Sequence, residues 1–273
     1  QTSDRRIEQF RNAGFTTAAT FPMRGIFAGQ GALINLAGEK PGQMVVSAPL
    51  GQYVTLSTSG SFGSFPGSLM GTIAYIRQIF LDLDQYKVAR AAYAKNARGA
   101  ARPEYDRALE GLMESPRVLL PATRGVEIVR MIRLARDLKQ PFILYGAHGA
   151  FASADVLKQN GVPVLVSAKW PEHSRDADPE DVESLRVLEL RDKAPSTPGV
   201  LAKAGVKFAL YSDGIATPRD LMRAVKKAID AGLPAADAVR AMTLSPAEIY
   251  GAADRLGSIE KGKIANLLVT KGD

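Results

Sequence analysis

Four short runs, 118–122 (VLLPA), 142–146 (FILYG), 162–168 (VPVLVSA) and 207–211 (KFALY), are apolar with almost no polar alternation. Between the first three, residues 126–138 and 153–159 carry apolar side chains at helical spacing. Unbroken runs of this kind are expected of strands buried on both faces, so the pattern predicts a parallel sheet with helices packed outside it. The last run stops at Ser212, Asp213 and Gly214 and so delivers a carboxylate to the C-terminal edge of that sheet. Such folds place their chemistry at that edge.

The N-terminal half is less regular. Residues 3–14 read as a helix with Ser3 as its cap, Ile7 and Phe10 on one face and Gly14 at its end. Residues 15–21 read as one more parallel strand, and 44–49 and 53–57 as strands between loops. Residues 69–113 read as helices interrupted near 97–105, the first covering 69–80 behind Pro66 and Ser68. Tyr75, Phe80, Tyr86 and Tyr93 recur near helical spacing there and belong to a core. Gly25, Gly29 and Gly31 are turn glycines, because no Lys-Ser or Lys-Thr follows them as a phosphate loop requires. The Gly-rich loop at 60–71 precedes a helix, an arrangement able to hold an anion.

Three linked segments carry a family resemblance: Asp213 with Gly214 at a strand end, Thr243 to Gly251 (TLSPAEIYG), and Gly257 to Val269 (GSIEKGKIANLLV). In this order they resemble the amidohydrolase superfamily, in particular its imidazolonepropionase-like and prolidase-like branches. The resemblance implies a (β/α)8 TIM-barrel-like fold over residues 1–256, entered inside its first helix and so lacking barrel strand one. Residues 257–273 would belong to a small β-sandwich, with 265–270 as a strand. It also implies hydrolysis of carbon–nitrogen bonds, non-peptide or dipeptide-like, at a divalent metal held by histidines and carboxylates.

The ligand positions depart from that pattern. Pro121 and Thr123 stand where barrel strand five would carry its histidine, and Tyr145 where strand six would. Asp213 matches the residue that moves the proton in active relatives. Its capping role is taken by Thr217 ahead of Pro218, which leaves it to face the barrel mouth as the candidate catalytic group. Arg124, Tyr145, His148 and Lys169 are the candidate substrate-binding groups at neighbouring strand ends, with Arg124 and Asp213 as a candidate ion pair. His173 reads as a solvated loop residue. No metal ligand set is assigned, and zinc or another divalent ion is expected only where further sequence supplies ligands. The alternative to a hydrolase is a non-catalytic binding or assembly module on the same barrel.

Composition narrows the classes. The 273 residues contain no cysteine, which excludes disulfide and thiolate chemistry, and the net charge of +7 is spread along the chain rather than gathered in a run. Nucleic acid is therefore not an expected partner, and no apolar run reaches the ~18 residues a membrane span needs. The expected partner is a small-molecule substrate or ligand, and a homo-oligomer is allowed.

Overall fold

A computed structural model describes residues 4–58, 65–173 and 182–271. Its strands are β1 (Thr17–Thr20), β2 (Phe27–Gln30), β3 (Ala32–Asn35), β4 (Val45–Ser47), β5 (Gln52–Val54), β6 (Val118–Ala122), β7 (Phe142–Gly146), β8 (Val164–Ser167) and β9 (Phe208–Tyr211). A six-stranded sheet has the order β2-β5-β6-β7-β8-β9. Its strands are parallel from β5 to β9, and β2 pairs antiparallel with β5. The four apolar runs predicted from the pattern are β6, β7, β8 and β9.

Each parallel strand feeds two cores because successive side chains point to opposite faces. Val118, Leu120, Leu144, Val164, Val166 and Phe208 pack outward against helical residues such as Ile128, Ile132, Leu157, Leu201 and Val225. Leu119, Ile143, Leu165 and Ala209 point inward and meet Leu33, Leu50, Tyr53 and Tyr250. Leu119, Leu120, Ile143 and Leu144 are all essentially inaccessible to solvent, so neither face has a place for a polar residue. Burial on that scale is worth about 1.5–3 kcal/mol for each large apolar side chain.

Three expectations are corrected. β1 is not a parallel barrel strand: it pairs antiparallel with β3, Thr17 opposite Asn35, in a separate three-stranded sheet of order β1-β3-β4. The segment joining β1 to β3 holds no helix, and a parallel return needs a crossover of a dozen or more residues, usually helical. Residues 265–270 form no strand. They lie beside β3, with Asn266 Nδ2 donating to Asn35 Oδ1 at 2.8 Å, but both edges of β3 are already taken by β1 and β4. The helix expected at 69–80 continues to Lys95 and starts on a Ser68 cap whose Oγ accepts from the Gly71 amide at 3.2 Å.

Other elements lie close to expectation. The first helix is Arg5–Asn12, capped by Asp4, while Ser3 lies outside the described residues. Helices Gly125–Asp137 and Ala154–Gln159 match the amphipathic stretches. Phe80 and Tyr86 are buried, as a core role requires. Residues 60–64 of the Gly-rich loop expected at 60–71 lie outside the described residues.

The parallel sheet resembles a TIM barrel that the described strands do not close. β9 ends the six-stranded sheet and β1 ends the smaller one. A cavity of about 710 Å³ is lined by residues of both strands, with Tyr53, Leu119 and Leu165 also in its wall.

Gly31 shows how tightly the inner core is fitted. A Cβ built there would lie 2.1 Å from Phe21 Cε1, and the Phe21 ring is itself wedged 5.6 Å from Tyr53 and 5.9 Å from Tyr250. Gly31→Ala is therefore expected to cost about 1–3 kcal/mol in urea denaturation, the usual range for an overpacked core. Phe21→Leu in the same chain should recover part of that loss.

Candidate functional site

The C-terminal ends of β5 to β9 meet at one mouth. Beyond β9 the chain turns sharply: the Ile215 amide donates to the Ser212 carbonyl at 3.0 Å, with Asp213 at φ +48° and Gly214 at φ +80°. Aspartate tolerates this left-handed conformation better than most residues. Asp213 does not cap the next helix, because Thr217 does so, its Oγ1 accepting from the Asp220 amide at 3.1 Å.

The Asp213 carboxylate is held from β8. Fully buried Ser167 donates through Oγ to Asp213 Oδ2 at 2.7 Å and accepts from the Lys169 amide at 3.1 Å. Ser167 lies opposite Tyr211 in the β8/β9 register, and Tyr211 stands two residues before Asp213 on the chain. The Tyr145 hydroxyl donates to the Val54 carbonyl at 2.9 Å, and its ring stacks on Tyr53 with centroids 4.4 Å apart at 25°. Burial, reinforced by the negative charge of Asp213, pushes Tyr211 well above the ordinary phenol range. Burial acts first on Tyr145 as well, joined by the hydrogen bond with Tyr53. Both phenols therefore stay neutral and serve as rings and hydrogen-bonding hydroxyls, not as anions.

His148 follows β7 in a loop fixed by two short bonds: Thr197 Oγ1 donates to the His148 carbonyl at 2.6 Å, and the Gly149 amide to the Thr123 carbonyl at 2.6 Å. Its ring faces Trp170 at 5.9 Å, and its Nε2 is buried without a hydrogen-bond partner among the described residues. Burial holds the imidazole below its ordinary value, outweighing the opposing pull of Asp213 and of the backbone at Ser167 and Lys169.

The remaining candidates lie elsewhere. Arg124 does not pair with Asp213; it turns back on its own helix, its guanidinium 2.6 Å from Glu127 Oε1. Burial works against the Glu127 carboxyl, but the Arg124 and Thr123 amides and the guanidinium together hold it below the usual range. This local pairing is the shorter reach for Arg124, since the acid stands three residues along the same helix. Lys169 contributes its amide, and its side chain is exposed. His173 approaches Glu183 at 3.8 Å, and residues 174–181 of its loop lie outside the described residues.

Ser167, Tyr53 and Tyr211 are the site residues that sequence reasoning missed. Counting back by twos from Asp213 reaches Tyr211 and Ala209 on the inward face, a signal that was available. Tyr53 carried none, because nothing in the sequence shows that β5 lies beside β6.

A family model described as the amidohydrolase family matches residues 92–273. An amidohydrolase structure from Thermotoga maritima MSB8 superposes with a TM-score of 0.82 and 26% identity, over 97% of this chain and 68% of that one. The N-acetylglucosamine-6-phosphate deacetylase of Haemophilus influenzae is 50% identical over 50 residues, which is 18% of this chain and 13% of the deacetylase.

Because the folded protein lowers the affinity of His148 for a proton, the unfolded chain binds more protons just below the ordinary value of 6.5. Stability is expected to fall as pH drops through that value toward the lowered one. Denaturation midpoints measured across this window should show the decline, and His148→Phe should flatten it.

Proposed function

Because the chain belongs to the amidohydrolase family, we propose that it is the barrel portion of a hydrolase of amide-type carbon–nitrogen bonds, with Asp213 as its proton-carrying group. The observation that carries this reading is the placing of Asp213: a carboxylate at the end of β9, in a left-handed turn, oriented by the Ser167 hydroxyl at 2.7 Å. A carboxylate so held accepts a proton from water as the water oxygen attacks the carbonyl carbon. It then gives that proton to the leaving nitrogen as the C–N bond breaks, yielding an acid and an amine. Ser167 keeps the carboxylate aimed. The relative named for deacetylating N-acetylglucosamine-6-phosphate makes N-acyl compounds the first class to assay.

The family commonly employs divalent metals, and the residues described here do not fit one. Among them no group of three or more His, Cys, Asp or Glu side chains is gathered. The charge of Asp213 is felt at His148, but a catalytic zinc takes three protein ligands. The Tyr145 hydroxyl is committed to the Val54 carbonyl. This shortfall is what favours a second reading, a binding module built on the same barrel.

Hydrolysis of a panel of N-acyl amino acids, N-acyl sugars and dipeptides, with and without added zinc or manganese, tests the two. Under the first reading Asp213→Asn lowers kcat by about 10²–10⁴-fold with the fold intact, the usual contribution of an acid–base group. Full activity in Asp213→Asn removes Asp213 from the mechanism. Saturable ligand binding with no turnover under any metal condition establishes the second reading.

A further inference from the structure

We propose that the cavity between β1 and β9 takes the cationic end of its ligand, an ammonium or quaternary ammonium group, against an aromatic wall backed by Asp213. This rests on the barrel mouth being the working site and not on turnover there.

Seven aromatic side chains line the cavity, among them Phe21, Tyr53, Tyr145, Tyr211 and Tyr250. Phe21, Tyr53, Tyr145 and Tyr250 form a connected surface, with Tyr53 stacked on Tyr145 at 4.4 Å and Phe21 bridging Tyr53 at 5.6 Å and Tyr250 at 5.9 Å. Aromatic faces carry partial negative charge and attract a cation within about 6 Å, most strongly when several surround it away from water. The phenols remain neutral, so the wall offers π faces and hydroxyls without competing anions.

Charge at the rim points the same way. Ser212 and Gly214, the neighbours of Asp213, line the cavity, as does Tyr211, two residues before it. Asp213 accepts from Ser167 and enters no ion pair among the described residues; Arg124 is bound to Glu127 instead. The charged residues at the cavity edge, Asp4 and Arg6, neutralise each other at 2.8 Å. Arg117 is not among the lining residues and keeps its positive charge turned to the Ile249 carbonyl, which its guanidinium reaches at 3.0 Å. Asp213 therefore keeps a negative charge that no ion pair among the described residues offsets, beside about 710 Å³ of space, within the range that small-molecule sites occupy.

Titration calorimetry with choline and with 3,3-dimethylbutan-1-ol, which matches it in shape without the charge, tests the proposal. Choline is expected to bind at least about tenfold more tightly than the neutral alcohol, the scale of a desolvated cation–π contact. Asp213→Asn should weaken choline and leave the alcohol unchanged. Tyr53→Leu should weaken choline more than the alcohol, with thermal unfolding confirming that each variant folds. Equal affinity for the two probes, tighter binding of acetate, or no saturable binding of choline overturns the proposal. Choline selectivity in a protein without hydrolase activity would leave this inference standing and remove the hydrolase, whereas turnover without selectivity would do the reverse.

Discussion

The constraint on which this structure depends is that strands β5 to β9 must bury both faces at once. A parallel ladder flanked by helices cannot present one side to water, so the apolar residues Val118 to Leu120, Phe142 to Leu144 and Val164 to Val166 of β6, β7 and β8 face either the helices or the inner core. Polar side chains are displaced to the last position of a strand or just beyond it. Ser167 closes β8 and Asp213 stands two residues past Tyr211, so the rule that makes the strands apolar also gathers hydroxyl and carboxylate at one mouth.

That rule explains what could be read from the chain and what could not. The four runs that became β6 to β9 are local patterns with a local cause, and Thr217 capping ahead of Pro218 is a local motif as well. β1 was misplaced because its sequence says that it is a strand without saying what it pairs with. Antiparallel pairing with β3 is a property of the intervening chain, where glycines and few charges hide two short strands. Residues 265–270 carry strand composition, but a strand also needs a free edge, and β3 has none left.

The site followed the same division. The position of Asp213 just past a strand was legible because a strand ending in Ser-Asp-Gly is a local signal, and its partner was not, because Ser167 lies 46 positions earlier and meets it only through the β8/β9 register. Arg124 was misread for the opposite reason. A long cation near a sheet edge was assigned to the distant carboxylate when Glu127, one helical turn away, reaches it first. Across the mouth, long-range partners come from register, and register is what a single sequence expresses least.

The chain holds one tryptophan, and its position has an optical consequence. Trp170 is buried, its indole N–H bonded to the Ala224 carbonyl at 2.9 Å and its ring 5.9 Å from His148. The tryptophan emission of this chain therefore originates at one point beside the loop that borders the mouth. Imidazolium quenches an indole more strongly than neutral imidazole does. The brightness of that single fluorophore is thus tied to the charge on His148, which gives the protein a built-in reporter of its own interior.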